Sequence, residues 1–375
     1  MLKNVLITGG AGFIGSNIAV KLLEKGYNVR ILDNLSPQIH GENGSLLELI
    51  QGKVDFIKGD VCNVEDWRAA LRGMDAVIHL AAETGTGQSM YEIYRYCDIN
   101  IGGTAKLLDI LTNEEHTVKK VIVAASRAIY GEGMYECEEH GLVYPVARED
   151  ADMQKGDFAV KCPVCHRDVK ILATSEDTKI HPTSVYGITK QVQEELVLVI
   201  CKALGIPAVT YRYQNVYGPG QSLSNPYTGI LSIFSTRIRS GKSINIFEDG
   251  EESRDFIYID DVVDATIAGL EREEANYETF NVGSGIMTSV NQVVTELMKN
   301  YGKEVPVEVT GMYRVGDIRN NYADTAKAER LLGFKPKVSF EEGIRRFTDW
   351  VSKQEEGTDG YEASLQEMKE KGLFK

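Results

Sequence analysis

A run of apolar residues, Val5-Leu6-Ile7, leads directly into Thr8-Gly9-Gly10-Ala11-Gly12-Phe13-Ile14-Gly15. Gly9, Gly12 and Gly15 recur every third residue. Beyond them the apolar period changes: Ile14, Ile18 and Leu22 share one helical face, and Gly26 stands where that helix should stop. A buried parallel strand, a glycine turn and a helix N-terminus in this order restrict the fold severely. Glycines let the backbone approach a pyrophosphate, and the helix N–H groups and dipole favour its charge. The next apolar run, Val29-Arg30-Ile31-Leu32, ends on Asp33, eighteen residues after Gly15. A carboxylate there accepts the hydroxyls of an adenosine ribose and repels a 2′-phosphate. The expected cofactor is therefore NAD rather than NADP.

Strand and helix patterns then alternate. Val54-Asp55-Phe56-Ile57, Asp75-Ala76-Val77-Ile78-His79-Leu80-Ala81-Ala82, Lys120-Val121-Ile122-Val123-Ala124-Ala125-Ser126 and Pro207-Ala208-Val209-Thr210-Tyr211-Arg212 read as strands. Helical spacing covers about 100–111 and 187–203. The succession predicts an α/β fold, a doubly wound parallel sheet of Rossmann type. Ligands of such sheets lie beyond the strands' carboxyl ends. Asp60, Ala81, Ala82, Ser126 and Arg212 all fall there.

After Tyr213 the pattern loosens. Residues 215–228 are rich in Gly, Pro, Asn and Tyr, as functional loops often are. Helices are expected at 230–240, 260–270, 290–301 and 326–332, with short strands at 244–247 and 255–258. The chain divides into an NAD-binding domain (1–212), a mainly substrate-binding lobe that partly returns to the sheet (213–350), and a peripheral charged helix (351–375). A formal net charge of −14 without a basic stripe speaks against a nucleic-acid partner. The first strand begins almost at residue 1, which leaves no room for a signal peptide, and no apolar run approaches membrane-spanning length. A cytoplasmic protein without disulfides is expected.

Tyr186-Gly187-Ile188-Thr189-Lys190 opens the long helical stretch. Tyr and Lys at i and i+4 share a face, and an ammonium beside a phenol is expected to lower its pKa from about 10. Tyr186 then serves as a base toward a hydroxyl, Lys190 supports it and the nicotinamide ribose, and Ser126 steadies charge on the reacting oxygen.

With these residues assembled, the chain resembles the extended short-chain dehydrogenase/reductase family, the NAD-dependent sugar-nucleotide epimerases and dehydratases. The matching segments run from the glycine turn through Asp33-Asn34-Leu35, Gly59-Asp60-Val61, His79-Leu80-Ala81-Ala82 and the stretch from Asn100 to Thr104. They continue through the Ser126, Tyr186 and Asn215 regions to Arg254-Asp255-Phe256, Asn281-Val282-Gly283 and Gly316-Asp317. The resemblance implies that Asn34, Asp60, Val61, Leu80, Ala81, Ala82 and Asn100 join Gly9, Gly12, Phe13, Ile14, Gly15 and Asp33 around a tightly held NAD. It also implies a nucleoside-diphosphate sugar as substrate and a homodimer built on helices of the sheet domain. Asn215 would meet the substrate diphosphate, Arg254 and Arg314 would clamp it, and Asp317 would lie near the nucleotide ribose. The family's 4,6-dehydratases place an Asp-Glu pair directly after the active-site hydroxyl residue, whereas Ser126 is followed by Arg127-Ala128. The remaining set suffices for epimerisation at C4 through a 4-keto sugar.

Sixty residues separate Ser126 from Tyr186, against some twenty-odd usual in the family. The excess, 131–182, carries Cys137-Glu138-Glu139-His140 and Cys162-Pro163-Val164-Cys165-His166. A C-x2-H and a C-x2-C make four ligands in two knuckles, the pattern of a structural zinc site, with Cys137, His140, Cys162 and Cys165 as ligands and His166 as a substitute for His140. A metal would supply folding energy to a polar segment too small for its own core. The insert resembles that of family members acting at C4 of a nucleoside-diphosphate 6-deoxyhexose. The same residues also fit two other readings: a UDP-hexose or UDP-hexuronate 4-epimerase, and an NAD-binding regulator whose zinc knuckle binds a protein or nucleic acid. The intact Ser126, Tyr186 and Lys190 set and the acidic charge weigh against the regulator.

Overall fold

The computed structural model describes residues 2–41, 50–223, 225, 227, 229–355 and 360–375. Seven parallel strands form the main sheet: β1 (Asn4–Thr8), β2 (Asn28–Asp33), β3 (Asp55–Lys58), β4 (Ala76–His79), β5 (Lys120–Ser126), β6 (Ala208–Tyr213) and β7 (Glu278–Val282). Their order across the sheet is 3-2-1-4-5-6-7. The direction of winding reverses between β1 and β4, which opens the ligand crevice of a doubly wound sheet at that point.

Alternation along each strand feeds a core on both faces. Val5 and Ile7 pack with Ile18, Leu22 and Ile31 on one side. Leu6 packs with Val77, Val121, Trp67 and Leu107 on the other. Strand β5 is buried along its whole length, as its unbroken apolar run requires.

The expected helices form, with instructive edges. Helix Val185–Leu204 begins on Ser184, whose hydroxyl accepts the Gly187 N–H at 3.1 Å, and ends on left-handed Gly205. The helix expected at 100–111 is Gly103–Asn113, entered through Ile93–Tyr96 and a π-helical turn, Cys97–Gly102. Strand β7 carries the return of the C-terminal half to the sheet and pairs with β6 in register.

The lobe centres on Ser253–Tyr258, paired with Asn215–Tyr217, Met287–Ser289 and Asn320–Asn321. The insert forms a small antiparallel sheet of Gly141–Val143, Tyr135–Cys137 and Lys170–Ile171. The C-terminal segment carries a charged helix, Tyr361–Glu370, packed against the lobe. Tyr361, Met368 and Phe374 are buried, Arg237 stacks over Tyr361, and Tyr313 and Lys375 exchange backbone hydrogen bonds of 2.8 and 3.0 Å. Apolar residues spaced along a charged helix seal it onto the lobe.

Candidate active site

A cleft of about 670 Å3 runs along the carboxyl ends of the strands. Gly9, Gly12, Phe13, Ile14, Gly15, Asp33, Asn34, Asp60, Val61, Leu80, Ala81 and Ala82 all line it. The glycine turn is sterically obligatory. A Cβ on Gly9, whose φ is +66°, would stand 2.8 Å from Ala81 N, and one on Gly15 would stand 2.5 Å from Gly9 O. Helix Phe13–Glu24 can therefore press its N-terminus onto the turn only with glycine at these positions. Asp33 accepts the Ala11 N–H at 3.0 Å and the Leu35 N–H at 2.9 Å, one on each oxygen. Each oxygen keeps a lone pair for a ribose hydroxyl. Asn34 donates to Asp60 at 3.1 Å. The residues present thus fit a dinucleotide: a cradle that only glycines allow, a helix N-terminus and an acid at the β2 end.

Asn100 alone among the expected cofactor residues is set back from the cleft. Its amide donates to Glu83 O at 3.1 Å and Thr189 Oγ1 at 2.9 Å and accepts the Glu83 N–H at 2.8 Å. It ties the loop after β4 to helix Val185–Leu204.

Ser126, Tyr186 and Lys190 line the cleft together. Ser126 Oγ accepts the Ala128 N–H at 3.2 Å, which leaves its own proton free, and Ser126 draws the Tyr186 phenol's pKa down. Tyr186 is held by its backbone N–H on Ser89 Oγ at 3.0 Å and by the edge of Tyr96. The electrostatics differ from expectation. Burial pushes Tyr186 up, and the forces that pull it back are the Ser126 hydrogen bond and the Arg127 charge. Lys190 donates to Gln193 at 2.9 Å, and burial brings its own pKa down to about 7. Desolvation of both groups outweighs the pairing that one-turn spacing suggests.

Arg127, the residue that replaces the dehydratase carboxylates, projects into this cleft. Its Nε lies 3.1 Å from Asn215 Oδ1, and burial together with the Arg254 charge lowers it to about 10. In the sequence it marked only an absence; the structure makes it a cation in the cleft beside Ser126 and Tyr186. Gln214, also in the lining, had no sequence signal beyond its place next to Asn215.

Asn215 reaches the cleft, but Arg254, Arg314 and Asp317 do not line it. Arg254 is turned inward, with its guanidinium on Asp317 Oδ1 at 2.9 Å and on the carbonyls of Ser253, Ile318 and Arg319. Arg314 lies over the Phe247 ring, 5.0 Å from its centroid. Burial pushes Asp317 up, but Arg254, Arg314, Arg127 and Arg148 together hold it below the ordinary carboxylate range. These residues form a part-buried charge cluster beside the cleft. The expected diphosphate clamp is thus not assembled in this conformation, because Arg254 already has four acceptors.

In the insert, the ligand atoms of Cys137, His140, Cys162 and Cys165 all lie within 4.8 Å of one another. Cys137 Sγ is 3.5 Å from His140 Nδ1 and 3.7 Å from Cys165 Sγ, too far for a disulfide. A tetrahedral zinc with Zn–S near 2.3 Å sets its thiolates roughly 3.8 Å apart, so the donor set fits that ion. His166 occupies a positive-φ turn outside the group and does not substitute for His140.

Residues 5–149 and 164–283 match the NAD dependent epimerase/dehydratase family, and the chain belongs to that family. The gap between the two matched stretches, 150–163, falls inside the insert. The dTDP-L-rhamnose 4-epimerase of Burkholderia thailandensis is 38% identical over 94% of this chain and 96% of its own. A UDP-glucuronate 4-epimerase of Thermodesulfobacterium geofontis is 32% identical, covering 92% of this chain and 95% of its own. Among solved structures, a UDP-glucose 4-epimerase of Thermotoga maritima in complex with UDP-glucose superposes with a TM-score of 0.75 at 33% identity, covering 93% and 99% of the two chains. A Bacillus cereus UDP-glucuronic acid 4-epimerase in complex with UDP-glucuronic acid and NAD gives a TM-score of 0.74 at 28% identity, covering 93% and 99%. Among the described residues no helix is long and apolar enough to cross a membrane.

Proposed function

We propose that the protein is an NAD-dependent 4-epimerase of a nucleoside-diphosphate 6-deoxyhexose, interconverting dTDP-L-rhamnose and dTDP-6-deoxy-L-talose. The observation that carries the reaction class is Ser126 beside Tyr186 in the cleft, followed by Arg127 rather than by carboxylates. No carboxylate pair follows Ser126 to eliminate water. Likeness to the Burkholderia enzyme over nearly the whole chain supports the sugar.

NAD, held by the glycine turn and Asp33, supplies reversible hydride acceptance at the reacting carbon. The protein's own residues do the rest. Tyr186 takes the proton of the 4-hydroxyl, Ser126 hydrogen-bonds the same oxygen as it becomes a ketone, and Arg127 offsets negative charge on the phenol. Tyr186 returns the proton when the ketone is reduced from its other face. In this reading Asn215 meets the diphosphate from the cleft, and Arg254, beside the cleft with Arg314 and Asp317, joins it only by exchanging carbonyl partners for phosphate oxygens on binding.

The Cys137, His140, Cys162 and Cys165 group holds a structural zinc in this reading, since the chemistry at Ser126 and Tyr186 needs no metal. The protein is a cytoplasmic homodimer. Ile188 and Val199 support the dimer: they lie exposed, three turns apart on one face of helix Val185–Leu204, with exposed Tyr94 on the adjacent helix. Incubating the purified protein with dTDP-L-rhamnose, UDP-glucose and UDP-glucuronate, and reading product stereochemistry by NMR, tests the proposal. Inversion at C4 of dTDP-L-rhamnose is expected. Turnover of a UDP-sugar alone would replace the substrate, and turnover of none would refute the enzyme.

A further inference from the structure

Gln214 follows β6 directly, and its main chain is tied by its N–H to Val282 O at 2.9 Å. Its side chain is only 5% exposed, yet neither Oε1 nor Nε2 has a hydrogen-bond partner among the described residues. An amide buried with both ends open is destabilising, and a native fold keeps one for a reason. Asn321 shares the condition but does not line the cleft; Gln214 does. Space for it comes from Gly283 on the neighbouring strand end, where a Cβ would stand 2.6 Å from Gln214 Cγ. In register, Ser126 faces Tyr213, so Gln214 sits one residue beyond the level of the reacting hydroxyl's partner.

We infer that Gln214 reads the sugar of the substrate, its amide bonding two adjacent ring hydroxyls beyond the one that is oxidised. This rests on the reading of the cleft as that of a nucleotide-sugar 4-epimerase. A primary amide offers an acceptor and a donor side by side, and neighbouring hydroxyls offer the complementary pair. A phosphate would meet the Gln214 carbonyl oxygen as a second acceptor, so the diphosphate belongs with the arginines and the sugar diol with Gln214. The residue therefore contributes to specificity for a hexose with free adjacent hydroxyls and carries none of the proton transfer.

The test uses the full chain with Gln214→Leu, and Gln214→Met as an unbranched alternative should the first fold poorly. Each is placed in a Tyr186→Phe background so that substrate is not consumed. Calorimetry compares dTDP with dTDP-L-rhamnose and with analogues lacking the 2- or 3-hydroxyl. The expected result is a rise in Kd for dTDP-L-rhamnose of about 10- to 100-fold with no change for dTDP, as for a lost pair of neutral hydrogen bonds in a closed site. The deoxy analogues should bind the Tyr186→Phe chain more weakly than dTDP-L-rhamnose does, and the Gln214 variants should not distinguish them. Thermal unfolding should occur at an unchanged or higher temperature, which a structural amide would not allow. Equal loss for dTDP and dTDP-L-rhamnose, no loss for either, or marked destabilisation of both variants overturns the inference. If the native chain turns over no sugar nucleotide, the epimerase reading fails separately. The affinity difference between dTDP and dTDP-L-rhamnose still decides the role of Gln214.

Discussion

Lys190 directs its ammonium at Gln193, Nζ to Oε1 at 2.9 Å, and Gln193 passes its own amide proton to Thr104 at 2.7 Å. The Arg127 charge draws the Tyr186 phenol's pKa down. Tyr186 must lose its proton to act as a base, so turnover should rise with pH on its limiting limb. Replacing Arg127 with Leu removes a charge that favours the phenolate, and the limb should move to higher pH. A pH profile of kcat that leaves the limb in place would show that Arg127 does not set the base.

Tyr186→Phe deletes the base while keeping the ring against Tyr96. Turnover should fall by about 10²- to 10⁴-fold or more, the range for a general base. Bound NAD, measured after denaturation, should be unchanged. Normal turnover in this variant would remove Tyr186 from the mechanism.

Asp33 is expected to discriminate between dinucleotides. Asp33→Ala loses an acceptor for ribose hydroxyls and a repulsion toward a 2′-phosphate, and NAD affinity should drop about tenfold while NADP affinity rises. The alanine also leaves the Ala11 and Leu35 N–H groups unpaired, so calorimetry should be paired with a stability measurement.

Purified protein should contain about one zinc per chain by elemental analysis, lost on replacement of Cys162 and Cys165 by Ser. The insert should then become sensitive to protease, because a polar segment with a core of only a few residues has little else to hold it. Retention of full metal content in the double variant would eliminate this site.

Glu252 carries a stability prediction with a definite sign. Burial pushes its carboxyl up from 4.5 to about 7, with Glu248 adding to the rise. Between these values the folded protein holds a proton that the unfolded chain has released. This contribution is complete below about pH 4.5 and lost as pH rises through 7. Glu252→Gln, which mimics the protonated form, should flatten that fall and make the protein more stable than wild type at pH 8. Denaturant titrations at pH 5 and 8 would read the difference.

Much of the frame was legible because its determinants are local. The glycine turn, the apolar runs of β1, β4 and β5 and the helix-period stretches each depend on neighbours within a few residues. Strand β7 was not legible as a strand, since Glu278-Thr279-Phe280-Asn281-Val282 is short and mixed. Its place is set by pairing with β6. The C-terminal helix read as peripheral because charge dominates its composition, and only the partners of Tyr361, Met368 and Phe374 show it to be sealed down.

The sequence by itself determined the type of sheet, the dinucleotide turn with its acid, the Ser126, Tyr186 and Lys190 set, the family resemblance and two cysteine-bearing knuckles. Local spacing and residue chemistry carry all of these. Only the tertiary structure decided which partner each polar group takes. It turned Lys190 to Gln193 and Arg254 to Asp317, set Arg127 beside Ser126 and Tyr186, brought Cys137 and His140 to Cys162 and Cys165, and left the buried Gln214 amide without a partner among the described residues. Those outcomes depend on burial and on segments far apart in the chain, and burial in particular reverses what spacing alone suggests about the charge of Tyr186.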